Sequence, residues 1–223
     1  MKSPLPHVNQ GRVLADWVTE SLREAILAGH FDPGERVDQD LVAQEYDVSR
    51  TPVREAIRIL ESEGFIEVRP HRGAFIATVS PREIREIYEI RGLLEAEIVR
   101  QVTPVITAET LHELARVLDE GIRQYDAGEH ARHYDADVAF HRTLTALVEN
   151  PLFVVLLEGL NNRVQRVRRF AQLRPGYHLL QSFDEHRQIL EAMQVRDAER
   201  AAQAMRDHCQ HSATRIAQMA GED

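Results

Sequence analysis

From Leu14 the apolar residues recur at Leu14, Trp17, Val18, Leu22, Ala25 and Ile26, the spacing of one helical face. Gly29 ends this stretch, and Asp32-Pro33-Gly34 has the composition of a turn. A short apolar segment at Leu41, Val42 and Ala43 follows, broken by Asp47-Val48-Ser49. The next helix places Val53, Ala56, Ile57 and Leu60 on one side and stops at Gly64. Phe65–Val68 and Ala74–Ala77 then read as a strand pair, turned by Arg69-Pro70-His71-Arg72-Gly73. Three helices followed by a hairpin predict a winged helix-turn-helix.

A new grammar begins at Ser80-Pro81-Arg82-Glu83. Serine can cap, proline suits the first helical position, and glutamate three residues after the cap completes a reciprocal capping pattern. Everything beyond reads at helical period: about Pro81–Val102, Ala108–Tyr125, Ala131–Val148, Leu152–Leu173, Leu179–Val195 and Asp197–Met219. The expected fold is mainly α. It comprises a flexible arm (1–11), a winged helix-turn-helix (12–79) and an all-α antiparallel helical bundle (80–223).

Composition changes this picture in one respect. The chain has 223 residues, 27 Lys+Arg and 36 Asp+Glu, a net charge of −9. Nine cations face thirteen anions before Ser80, and eighteen face twenty-three from there on, so neither part is basic. Sequence-blind binding to polyanions needs a basic surface and is excluded. Lys2 is the only lysine, so any anion contact falls to the fork-shaped guanidinium of arginine. The single Cys209 excludes a disulfide framework. No apolar run is long enough to span a bilayer, and MKSPLPHVNQGR lacks the apolar core of a signal peptide. A soluble cytoplasmic protein is the expectation.

The start of the third helix can still meet nucleic acid. Its first-turn amides lack intrahelical partners, Ser49 and Thr51 add hydroxyls, and Arg50 and Arg54 share a face opposite Val53, Ile57 and Leu60. N-terminal residues of a recognition helix contact base edges, and arginine is the commonest reader of guanine. The hairpin turn adds Arg69, His71 and Arg72, with Gly73 allowing close approach. Glu55, Glu61, Glu63 and Glu67 compete for those guanidiniums, leaving a nearly neutral stretch with a focused contact.

These residues carry a resemblance. The string VSRTPVREAIRILESEGFIEVRPHRGAFIA resembles the GntR family of bacterial transcription regulators over about residues 12–78. It implies a homodimer that docks two recognition helices on a pseudo-palindromic double-stranded DNA operator, with Arg50, Thr51, Arg54 and Gly73 at the DNA. Asp40 departs from the pattern, standing where many members carry a basic residue in the second helix.

In the bundle, Asp137 and His141 are four apart within DADVAFHRTL and can chelate one ion from a single helix face. His186 and His208 come from two later helices. One carboxylate and three imidazoles suit Zn, Ni, Mn or Fe without choosing among them. Spacing leaves rivals: His133 with Asp137, and His208 with His211. Cys209 points away from His208 round the helix and reads as packing. Glu109-x-x-His112 is a single copy of a motif that di-metal bundles use twice.

Residues 80–219 resemble the FCD effector domain of the FadR-type GntR subfamily, through YEIRGLLE, DADVAFHRTL, the Asn150-Pro151 break, DEHRQILEAM and RDHCQH. The resemblance selects Asp137, His141, His186 and His208 as ligands of one divalent metal per chain, with Zn the ion expected. It also implies a small carboxylic acid effector whose carboxylate completes the metal shell. Arg91, mid-helix among Ile87, Ile90, Leu94 and Ile98, then pairs either with that acid or Asp137, or structurally with Glu95 or Glu89. Arg163, Asn161 and Asn162 are further effector candidates, whereas Arg166, Arg168 and Arg169 read as a solvated or dimer-facing surface.

The resulting expectation is a non-enzymatic transcription regulator, a repressor, whose operator affinity is set by a small organic acid at a metal site. The Thr78–Pro81 connection is short enough to transmit the change. The alternatives are a regulator that senses the metal itself and a metal-dependent hydrolase. Against the hydrolase, no catalytic residue is apparent: no carboxylate or His left over from ligation is placed as a general base.

Overall fold

Helix α1 (Gln10–Ala28) forms where the first apolar stripe was read, and buries Val18 and Leu22 completely. The computed structural model describes residues 10–172, 174 and 180–221, with the backbone alone for 10–12 and 130–133. Residues 10 and 11 are helical rather than part of an arm, and residues 1–9 lie outside the described residues. The chain divides into two compact units that meet between Thr78 and Val79.

The first unit continues with strand β1 (Arg36–Val37), α2 (Gln39–Glu45), α3 (Arg50–Ser62), β2 (Ile66–Arg69) and β3 (Gly73–Ile76). Asp38 caps α2 by accepting from the amides of Asp40 (2.9 Å) and Leu41 (3.3 Å). Helix α3 follows its stripe, with Val53, Ala56, Ile57 and Leu60 all buried. The wing differs from the expected hairpin by a third strand. β1 pairs antiparallel with β3, giving the order β1-β3-β2. Two residues are too short to show an alternation, so no sequence pattern announces β1.

The second unit is helical throughout its described residues: α4 (Pro81–Val102), α5 (Ala108–Asp126), α6 (His130–Ala146), α7 (Pro151–Gln172), α8 (Leu180–Gln194) and α9 (Ala198–Ala220). Ser80 caps α4, its hydroxyl accepting from the Glu83 amide at 3.1 Å. The Glu83 carboxylate turns away from the cap to pair with Arg166, so this part of the reciprocal pattern is replaced by an ion pair. Asn150 opens α7 through a hydrogen bond from the Leu152 amide. α4 packs along α9, α5 against α6 and α8, and α8 against α9. Phe140, Phe183, Leu114, Leu118, Ile189 and Met193 fill the core between them.

Gly121 is required by this packing. A Cβ there would lie 2.8 Å from Ala136 Cβ and 2.7 Å from Phe183 Cζ, closer than such atoms ever come. Both neighbours are buried and cannot give way freely. Gly121→Ala is expected to destabilise the second unit by about 1–3 kcal/mol, the cost of overfilling a packed core. Gly159→Ala, where a Cβ meets nothing within 4 Å, should instead stabilise α7 by up to about 1 kcal/mol. Thermal unfolding of the two variants reads out the opposite signs; equal Tm values would remove the packing argument.

Candidate functional site

At the start of α3, Arg50, Thr51 and Arg54 are exposed while the apolar stripe behind them is buried. Ser49 occupies the cap position in extended conformation but makes no side-chain capping bond, which leaves its hydroxyl for another acceptor or donor. The tip of the wing exposes His71 and Arg72, and a turn bond from the Arg72 amide to Arg69 O (3.0 Å) shapes it. Gly73 sits at φ +103°, and a Cβ there would come 3.3 Å from Arg36 Nε. Glycine therefore serves both the backbone conformation and the close passage of Arg36.

A cleft of about 290 Å³ gathers Arg36, Asp40, Arg50, Thr51, Arg54 and Gly73 from β1, α2, α3 and the wing. Arg36 was not legible as a site residue, because the strand that carries it was not. Asp40 pairs with Arg50 on the surface, so the departure from the family pattern engages the first residue of the recognition helix. Arg69 is held by Glu67 at 2.9 Å and lies over the Phe75 ring, 4.5 Å from its centroid.

In the second unit Asp137 and His141 of α6, His186 of α8 and His208 of α9 converge, and all four are buried. Four potential ligand atoms lie within 4.8 Å of one another. His186 Nε2 stands 3.1 Å from His141 Nε2 and 3.2 Å from His208 Nε2. Asp137 Oδ1 is 3.9 Å from His141 Nε2 and 3.7 Å from His186 Nε2. Donor atoms each about 2.1 Å from one ion stand about 3.0–3.4 Å apart, so the imidazole spacing suits a shared ion.

The outer ring nitrogens explain why the inner ones face each other. His208 Nδ1 donates to Glu185 Oε2 at 2.8 Å, and Glu95 Oε2 lies 2.8 Å from His141 Nδ1. A carboxylate only accepts, so a neutral ring that turns its Nδ1 proton to one presents the lone pair of Nε2 inward. His186 can give a proton to one such Nε2, not both. At least one contact between lone pairs is left in a buried site, and a cation between them would relieve it. The residues present fit a divalent transition ion.

Charge supports the same fit. Burial pushes His141 down to about 4 against the pull of Glu95, and burial with the neighbouring imidazoles pushes His186 well below its usual value. Both rings are therefore neutral at neutral pH, the form a metal ligand needs. Burial alone would raise Glu185, but hydrogen bonds from His208 and Arg215 hold it at about 2. Burial would likewise raise Asp137, yet Arg168, with the neighbouring imidazoles, holds it well below the carboxylate range.

Arg91 resolves in favour of an ion pair with Glu95, at 2.8 Å with both side chains buried. Its guanidinium also lies over Tyr88, 5.3 Å from the centroid. It nevertheless lines a cavity of about 510 Å³, together with Glu95, His141, Asn161, Gln165 and Arg168. Arg163 and Asn162 are not on that wall; Arg163 stands 3.7 Å from Glu83 instead. Asn161 of the three α7 candidates does lie on that wall, and the cavity positions of α7 toward its C-terminal half include Val164, Gln165 and Arg168.

Arg168 and Arg166 are corrections to a reading of this run as surface. Arg168 Nη2 lies 2.6 Å from Asp137 Oδ2, and Arg166 is buried against Glu83. A run of arginines gives no sequence signal for which of them turns inward. Glu95 and Glu185 were also missed as partners of the histidines, since nothing in the sequence pairs α4 with α6 or α8 with α9. Of the rival ligands, His211 is exposed and reaches Glu185 Oε1 at 3.1 Å, while the His133 side chain lies outside the described residues. Cys209 is buried, its Sγ 3.8 Å from Glu95.

Comparison with known proteins agrees with this division. The family model described as "FCD domain" matches residues 86–211, and "Bacterial regulatory proteins, gntR family" matches residues 14–76. The HTH-type transcriptional repressor RspR of Escherichia coli K12 is 29% identical, over 91% of this chain and 88% of its own. The HTH-type transcriptional regulator YdhC of Bacillus subtilis is 31% identical over 85% of each chain. The gluconate operon transcriptional repressor of Bacillus subtilis is 28% identical, over 78% of this chain and 70% of its own. Among solved structures, a GntR regulator from Rhodococcus sp. RHA1 superposes with a TM-score of 0.74 at 25% identity, covering 91% of this chain and 96% of its own. Among the described residues no helix is long and apolar enough to cross a membrane. With transcription regulators rather than enzymes on every side of the comparison, and with one model covering each unit, the chain belongs to the GntR family of bacterial transcription regulators, in the branch that carries an FCD domain.

Proposed function

We propose that this regulator is an operator-binding repressor, acting as a homodimer in the cytoplasm, whose DNA affinity is modulated by a small carboxylic acid at a metal centre. The domains divide the work: residues 12–79 hold DNA and residues 80–223 hold metal and acid. The observation that carries the reading is that His141, one of four converging ligands, and Arg168, which holds a second, line the same 510 Å³ cavity. Asp137, His141, His186 and His208 would hold the ion, which when bound supplies Lewis acidity toward a ligand oxygen.

Electrostatics favours an anion there. Arg91 is balanced by Glu95 and Arg168 by Asp137, so the buried pairs cancel and a divalent ion's charge is left uncompensated. An acid with a carboxylate answers that charge. At the other unit, Ser49, Arg50, Thr51 and Arg54 would meet one half-site from α3, and His71, Arg72 and Gly73 the adjoining groove from the wing. The relatives named as repressors, one of a gluconate operon, support both the sign of regulation and the acid. Coupling then requires only that the acid favour the state with lower operator affinity.

Three outcomes check the proposal. In a gel-shift with the native upstream region, Arg54→Ala should weaken binding by about 1–3 kcal/mol, the worth of one bidentate base contact. Equal shifts for the variant and the wild type would remove Arg54 from the DNA. Metal analysis should return one ion per chain, and Glu185→Gln should lower metal affinity about 10–100-fold by loosening His208. Finally, an acid at 100 times its dissociation constant should stabilise the metal-loaded protein by about 2.7 kcal/mol and release the operator. Release on metal addition alone, with no acid active, would show a metal sensor instead.

A further inference from the structure

The two oxygens of Asp137 are divided between two tasks. Oδ1 faces the cluster, 3.7 Å from His186 Nε2 and 3.9 Å from His141 Nε2, while Oδ2 takes Arg168 Nη2 at 2.6 Å. Arg168 reaches in from α7 and Asp137 from α6, so the contact ties the helix that walls the cavity to the helix that bears two ligands. The Arg168 side chain is 17% exposed, and what it exposes lines the cavity.

A guanidinium carries five donors in a planar fork, and one donor on Asp137 leaves others for a second carboxylate. Arg91 and Arg142 are the other arginines on this wall; Arg91 is neutralised by Glu95 at 2.8 Å and is 5% exposed, and Arg142 lies on the exposed side of α6. Glu95 in turn is committed to Arg91 and His141, and Glu158 is the other carboxylate on the cavity lining. Arg168 alone of the three arginines touches the cluster, through Asp137, while keeping part of its side chain on the cavity, which makes it the cation best placed to take an incoming acid beside the cluster.

Resting on the metal-and-acid reading above, we propose that Arg168 is the specificity-determining residue of this site. It restricts Asp137 to one oxygen toward the ion, which keeps a coordination position open on the cavity side. It also takes the effector's carboxylate beside that position, so that acids bind and their neutral analogues do not.

The proposal separates two affinities that a merely structural arginine would move together. Removing a positive charge next to a cation site cannot weaken the cation electrostatically, whereas it must weaken an anion. The metal-loaded full chain is titrated calorimetrically with acetate, hexanoate, benzoate and gluconate and with the amides of the same acids. Metal affinity is measured in parallel by competition with a chromophoric chelator. Arg168→Gln, which can still donate to Asp137, should weaken the tightest of these acids at least tenfold and leave metal affinity within threefold or tighter. Arg168→Lys should recover part of the acid binding, and the amides should bind wild type at least tenfold more weakly than the acids. Unchanged acid affinity in Arg168→Gln overturns the proposal, as does a joint loss of metal and acid, which marks a structural role. If wild type binds none of these acids while holding its metal, the effector reading itself fails and this inference falls with it.

Discussion

Charge buried inside a helical bundle must be answered by charge, and the second unit is organised around that requirement. A lone carboxylate or guanidinium in such a core costs several kcal/mol, so each is met by a partner from another helix or another turn. Glu95 answers Arg91 and His141, Arg168 answers Asp137, and Glu185 answers His208 and Arg215. Two of these contacts, Glu95 on His141 and Glu185 on His208, orient imidazoles whose other ring nitrogens face His186. The candidate metal centre is the inner end of a network whose outer end is ion pairs.

The sequence shows the apolar half of this design and hides the polar half. Helical periodicity located α4 through α9 to within a residue or two, because within a helix buried residues such as Ile84, Ile87 and Tyr88 of α4, or Leu111, Leu114 and Leu118 of α5, recur at the spacing a buried face demands. Asp137 and His141 were legible for the same reason, as neighbours one turn apart. His186 and His208 were selected by resemblance to a family, since contacts between helices leave no mark on spacing. Arg168 shows the limit. In NNRVQRVRRF several arginines compete, and a rotation of about 100° per residue decides which faces a cavity and which faces water. Of the residues chosen from the sequence, Asn161 lines the cavity while Asn162 and Arg163 do not.

The first unit obeys a different rule. Its cations are exposed, and the surface pairs Arg50–Asp40 and Arg69–Glu67 are of the kind worth less than about 1 kcal/mol. Such pairs exchange easily, which is what a surface needs if a polyanion is to replace the acidic partner. The overall charge of −9 and the family's DNA-binding role are compatible on these terms. A few guanidiniums held loosely at α3 and the wing can choose a site, while the acidic remainder discourages lingering elsewhere.

The unbroken length of α4 has a mechanical meaning. It runs from Pro81 to Val102 without proline after its first turn, its one glycine, Gly92, packed against Cys209 of α9, and Arg91 and Glu95 sit near its middle. At about 1.5 Å per residue, Glu95 lies some 21 Å along the rod from its capped end. A hydrogen-bonded helix does not shorten under small loads, so a displacement at the ion-pair network is not absorbed between there and Ser80. It arrives at the cap as translation or roll of the whole rod. A helix that moves as one body would pass on a displacement through its stiffness rather than through a hinge.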